Sequence, residues 1–147
     1  MRYRARNVHG SSADSAVLAI IAATVPSAPN TVVVANSADH STASVNVAWS
    51  TPSVLGGVGI TISAYAVFIR ESDGSTFSVA PSGSGCSPSS PAAIASVVAD
   101  ENCDIEMSLL RVAPFNLVQG DPIVVKMQAQ NVIGWSTDSA VDSSAVV

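Results

Sequence analysis

The sequence predicts an all-β sandwich, and three observations carry that expectation. Val and Ala dominate the apolar residues, while Ser and Thr number 31 of 147. Such a β-branched and small set suits a pleated surface better than a helix. No stretch sustains an apolar stripe of period 3.6, and eight prolines are scattered along the chain, each removing a backbone donor. Instead, several runs alternate with period two between turn residues, which is the pattern of strands with one buried face.

The first element is a repeat. "ARNVHGSSADSAV" (5–17) matches "AQNVIGWSTDSAV" (129–141) at nine of 13 positions, at a constant offset of 124. The chain therefore opens on a copy of its own closing region. "MRYRAR", "AVLAIIAATV" and "PSAP" also follow the order of a secretory leader. Asp14 interrupts the entry to the apolar run, however, and the repeat already accounts for the segment. No run reaches the ~18–20 apolar residues of a membrane helix, so no membrane insertion is expected.

"PSAP" (26–29) is the one clear boundary, because two prolines cannot continue a ladder. Strands are expected beyond it. "TVVVAN" (31–36) is short. "ASVNVAWS" places Val45, Val47 and Trp49 on one face. "STPSVLGGVG" is a turn-rich connection, and "ITISAYAVFIR" follows with Tyr65, Val67 and Ile69 on one side. Asp73-Gly74 marks a tight hairpin into "TFSVA". Residues 81–102, rich in Ser, Gly and Pro, read as a surface excursion. "DIEMSLL" resumes alternation with Ile105, Met107 and Leu109 inward, and "RVAPFNLVQGDP" crosses to the next strand. "IVVKMQAQN" turns Ile123, Val125, Met127 and Ala129 to one face, and "WSTDSAVDSSAVV" closes the chain. About seven strands with frequent turns make a small sandwich.

Net charge is −5, with six Lys and Arg. Phosphate binding needs a basic surface, so no nucleic-acid partner is expected.

These residues resemble the fibronectin type III family. The resemblance rests on "VAWSTP", "ITISAYAVFIR", "MSLL", "PFNL" and above all "AQNVIGWSTDS", an A-x-N-x-x-G-x-S-x-x-S pattern linking the sixth and seventh strands. It implies a seven-stranded immunoglobulin-like sandwich over residues 30–147, with a long insert at 81–102. Residues 26–29 would be a linker, and residues 1–25 the last two strands of a preceding or swapped module. The sequence departs from the family where Ile123 stands in place of a corner-forming Tyr, so the corner must be held otherwise, with Phe115 and Leu117 as candidates.

Cys86 and Cys103 flank the excursion. A disulfide closing that loop is the preferred reading for a small extracellular module; the alternative is two reduced, buried thiols. Ser82, Ser84, Ser87, Ser89 and Ser90 lie among Pro81, Pro88 and Pro91 and are candidates for O-linked sugars. No N-x-S/T sequon exists. Asp100, Glu101, Asp104 and Glu106 form the densest acidic cluster, read as a solvated edge rather than a calcium site. His9 and His40 have no nucleophile constellation around them. No catalytic residue, metal site or cofactor is expected. Trp49 reads as core and Trp135 as local packing or an exposed anchor.

A two-stranded hairpin alone is marginal in water, and "SAVLAIIAATV" is apolar and strand-prone. Val17, Leu18, Ile20, Ile21 and Val25 are therefore an expected assembly segment, covered by the rest of a module or by another copy of the chain. The expected role is a structural, non-catalytic repeat of an extracellular fibre or cell-surface adhesion protein, assembling head to tail. The alternative is a ligand-binding receptor ectodomain module, recognising a protein or glycan through loops 51–60, 81–102 and 110–121.

Overall fold

The computed structural model describes residues 1–20, 22–36, 43–87 and 98–147. Its strands are β1 (Arg6–Asn7), β2 (Gly10–Ser11), β3 (Asn30–Asn36), β4 (Ser44–Ser50) and β5 (Ala64–Arg70). They continue as β6 (Phe77–Val79), β7 (Asn102–Glu106), β8 (Pro122–Gln130) and β9 (Asp142–Val146), with a helical turn α1 (Met107–Leu110) after β7. Among the described residues they form three antiparallel sheets: the pair β1-β2, a three-stranded sheet β3-β4-β7, and a four-stranded sheet β6-β5-β8-β9.

The two larger sheets face each other across one core. Val34, Val45, Val47, Trp49, Cys103 and Ile105 enter it from the first sheet. Tyr65, Val67, Ile69, Ile123, Val125 and Met127 enter from the second. Trp49 and Tyr65 meet in a tilted pair, ring centroids 5.1 Å apart, a favoured aromatic geometry. Burial pushes the Tyr65 phenol above its ordinary range, against the hydroxyl of Thr51. Among the described residues the cluster draws on residues 32–147 alone. At its edge, Val34 N donates to Asp142 Oδ2 (2.9 Å) and ties β3 to β9 across the sheets.

Alternation placed the core positions of β4 and β8 correctly, but "DIEMSLL" behaves differently. The strand stops at Glu106 and the chain turns helical, which brings Met107 and Leu110 to one face three residues apart. Leu110 is buried where Leu109 was expected. The corner before β8 is held through this turn: Leu117 N donates to Leu110 O (3.0 Å) and Ser72 N to Phe115 O (2.9 Å). Phe115 and Leu117 are buried, as the missing tyrosine required.

Candidate interface between modules

The amino-terminal hairpin repeats the closing hairpin bond by bond. Ser12 N donates to Ala5 O and Ser15 N to Tyr3 O, both 2.9 Å; Ser136 N donates to Ala129 O and Ser139 N to Met127 O, both 2.8 Å. The serine hydroxyls take the returning donors. Ala5 N reaches Ser12 Oγ and Tyr3 N reaches Ser15 Oγ, each at 3.1 Å. Ala129 N reaches Ser136 Oγ and Met127 N reaches Ser139 Oγ, each at 3.0 Å. A hydroxyl is both donor and acceptor, and all four pass their own proton to the next carbonyl. Serine here completes the ladder where the strands diverge.

The charges correspond as well. Asp14 accepts from Arg2 (3.2 Å) and Arg4; Asp138 accepts from Lys126 (2.7 Å) and Gln128 (2.8 Å). The Lys126 ammonium holds the Asp138 carboxyl below its ordinary range, against burial. That ammonium also lies 4.5 Å from the centre of the Phe77 ring, a cation–π contact. Arg6 pairs with Ser11 as Gln130 bridges Trp135. Met1 exchanges hydrogen bonds with Leu18 where Val125 pairs with Asp142. Every one of these partners is displaced by 124 residues.

The two hairpins differ in burial. Val125, Met127 and Ala129 are sealed in the core, while their counterparts Met1, Tyr3 and Ala5 are exposed. Val17, Leu18 and Ile20 are 70%, 62% and 66% exposed, and Val25 is also exposed. Ile21 lies outside the described residues.

Residues 24–29 are pinned to the sandwich. Thr24 N donates to Gly56 O (2.8 Å) and Ser27 N to Val54 O (2.9 Å). Val54 N returns a bond to Ser27 Oγ (3.2 Å), and Pro26 and Pro29 are buried. Asn131, 2% exposed, is the centre of the clamp. Its Nδ2 donates to Thr24 O (2.8 Å) and Leu55 O (2.9 Å). Its Oδ1 accepts from Ile133 N (2.8 Å) and Gly134 N (3.1 Å). All four hydrogen-bonding sites of the amide are thus used. Gly56, at φ +105°, is required beside it, because a Cβ there would lie 2.2 Å from Thr24 O and 2.4 Å from Asn131 Nδ2. Sequence reasoning saw Asn131 only as part of a family pattern; its clamp partners lie 107 and 76 residues away.

The remaining candidates resolve as follows. Cys86 and Cys103 are bonded to each other, and Gly85 N donates to Asp104 O (3.0 Å), seating that arm of the excursion on β7. Ser82 is exposed. Ser84 and Ser87 are buried, and the Ser84 hydroxyl donates to Pro81 O (2.8 Å). Both thus turn inward next to the disulfide, unlike Ser82. Ser89 and Ser90 lie outside the described residues, as do Pro88, Pro91 and His40. Asp104 and Glu106 face solvent, with Asp104 accepting from Asn46 (3.0 Å). Among the described residues no group of three or more His, Cys, Asp or Glu could hold a metal ion, and no helix is long and apolar enough to cross a membrane. His9 is exposed at the hairpin tip, and Trp135 is 39% exposed.

No protein-family model matches this sequence, and no curated protein matches it. The structure is similar to the crystal structure of domains A168–A170 from titin, with a TM-score of 0.55 at 18% identity over 84% of this chain. The chain spans 32% of that solved chain. A second similarity is to titin kinase and its flanking domains, with a TM-score of 0.48 at 19% identity, over 80% of this chain and 16% of that one. The first likeness speaks for the fold, an immunoglobulin-like β-sandwich.

Proposed function

We propose that this chain is a non-catalytic structural segment of a tandem array of fibronectin type III-like modules, in an extracellular fibre or cell-surface adhesion protein. The observation that carries the reading is the hairpin of residues 1–18, which repeats the hydrogen bonds of the module's own closing hairpin at an offset of 124. Residues 1–25 are then the closing strand pair of a preceding module, residues 26–29 the linker, and residues 30–147 the next module. The fibronectin type is supported by β6, which joins the sheet of β5, β8 and β9; in the constant immunoglobulin type the fourth strand lies on the opposite sheet. The Cys86–Cys103 bond supports an oxidising compartment. Ser82 remains the described candidate for an O-linked sugar.

The apolar strand left bare on residues 17–20 needs cover from a module of its own kind, and in solution another copy is the available source. Sedimentation of residues 1–147 and 22–147 tests this. The longer chain associates as concentration rises, while the shorter one stays monomeric with its thermal transition intact. A monodisperse 1–147 whose hairpin amides exchange freely would refute assembly. A monomer that instead binds a soluble protein or glycan would favour the receptor-module reading.

A further inference from the structure

We infer that the linker 26–29 is seated on the module that follows it, so that successive modules of this array are joined with no free linker residue and the exit pole of one packs directly on the entry pole of the next. This rests on the tandem reading and adds the geometry of the junction. Residue counting sets the exit point. Leu18 corresponds to Asp142 by both sequence offset and strand pairing, so Ala22 and Ala23 correspond to Val146 and Val147. At that position of the second module the exit turn holds the chain: Val147 N donates to Asp121 O and Gly120 N donates to an oxygen of the Val147 carboxylate, each at 3.0 Å, and in an array that oxygen is a peptide carbonyl.

Thr24, the next residue, is already held by the following module. Its N–H goes to Gly56 and its carbonyl accepts from Asn131, each at 2.8 Å. Consecutive Cα atoms lie about 3.8 Å apart, so one peptide unit separates the two anchorages. The contact even overlaps the preceding strand: a Cβ at Gly57 would sit 3.0 Å from Ala22 O and 3.6 Å from Ala23 Cα. Among the described residues neither backbone group of Ala23 has a partner, which leaves both for the exit turn of the preceding module.

The poles carry matching surfaces. Around the clamp the tips Val54, Val58, Val132 and Ile133 are exposed and apolar. At the exit, Val118 is bonded into the turn that anchors Val147 and is exposed. Each module thus presents an apolar pole at its entry and an exposed Val118 at its exit turn. The occupant of the entry pole is the exit turn of the module before it, a heterologous contact that propagates along the array.

The repeat unit 24–147, which holds every described member of the core cluster, supplies the test. A polypeptide of two direct copies of 24–147 is compared with one carrying Gly-Ser-Gly-Ser between Val147 and the second Thr24. Residual dipolar couplings read the alignment tensor of each module. The direct tandem shows one common tensor. The spacer, which touches no core residue, produces two, and Ile133→Asp in the second copy weakens the agreement. Two different tensors in the direct tandem, with both modules folded, would overturn the zero-length junction and leave the tandem reading standing. A tandem in which one copy fails to fold would overturn the repeat boundaries themselves.

Discussion

Replacing Asn131 by Asp isolates the clamp from the turn it sits in. The substitution keeps Oδ1 as the acceptor for Ile133 N and Gly134 N, so the turn between β8 and Trp135 is preserved. It converts Nδ2 from a donor into an oxygen facing the carbonyls of Thr24 and Leu55. Two hydrogen bonds are lost, at about 1 kcal/mol net each, and an acceptor is buried against acceptors, at roughly 1–3 kcal/mol more. The expected loss is therefore about 3–5 kcal/mol at neutral pH, read from urea unfolding with an unchanged m-value. Acid should partly rescue the variant. Burial against two carbonyls raises the new carboxyl's pKa in the folded state. Its penalty is then full above that pKa and shrinks as pH falls through it, when the protonated acid can donate one bond. Amide exchange at Thr24 should rise in parallel. A variant within ~0.5 kcal/mol of the parent, in the range of ordinary surface changes, with Thr24 still protected, would refute the clamp.

Two further outcomes are expected. Replacing Cys86 and Cys103 together by Ser releases a loop of sequence separation 17 and should lower stability by about 3 kcal/mol by chain entropy, with the sandwich still folding cooperatively in urea. Asp142→Ala removes the acceptor for Val34 N and Ser144 N and should cost about 1–2 kcal/mol. Burial alone would raise the Asp142 carboxyl, but the amides of Val34 and Ser144 hold it below its ordinary range. A depressed folded pKa contributes stability above the unfolded value, and loses it as pH falls through the folded one. Stability–pH curves of the variant should therefore slope less on the acid side than the parent's; identical slopes would exclude the role.

Legibility followed the range of the interactions. β8 could be read because one face is sealed, so Ile123, Val125, Met127 and Ala129 had to be apolar at every second place. The turn at Met107–Leu110 escaped because four residues of helix carry no period distinct from a strand's. Composition marked residues 81–102 as an excursion, yet it could not tell that Ser84 and Ser87 turn inward, because the disulfide and the contact of Gly85 with Asp104 decide that. Asn131 was visible as a letter in a pattern, while its bonds to Thr24 and Leu55 were not.

The sequence by itself determined the all-β class, the alternating core and the recurrence of the closing hairpin, because local periodicity and copied residues are written along the chain. The tertiary structure alone decided that Gly56, Asn131 and Thr24 meet, and hence that the chain just before "PSAP" is bonded to the sandwich. A hydrogen bond between residues so far apart in sequence leaves no local signal; it exists only once two sheets have closed on one core and brought their loops to the same pole.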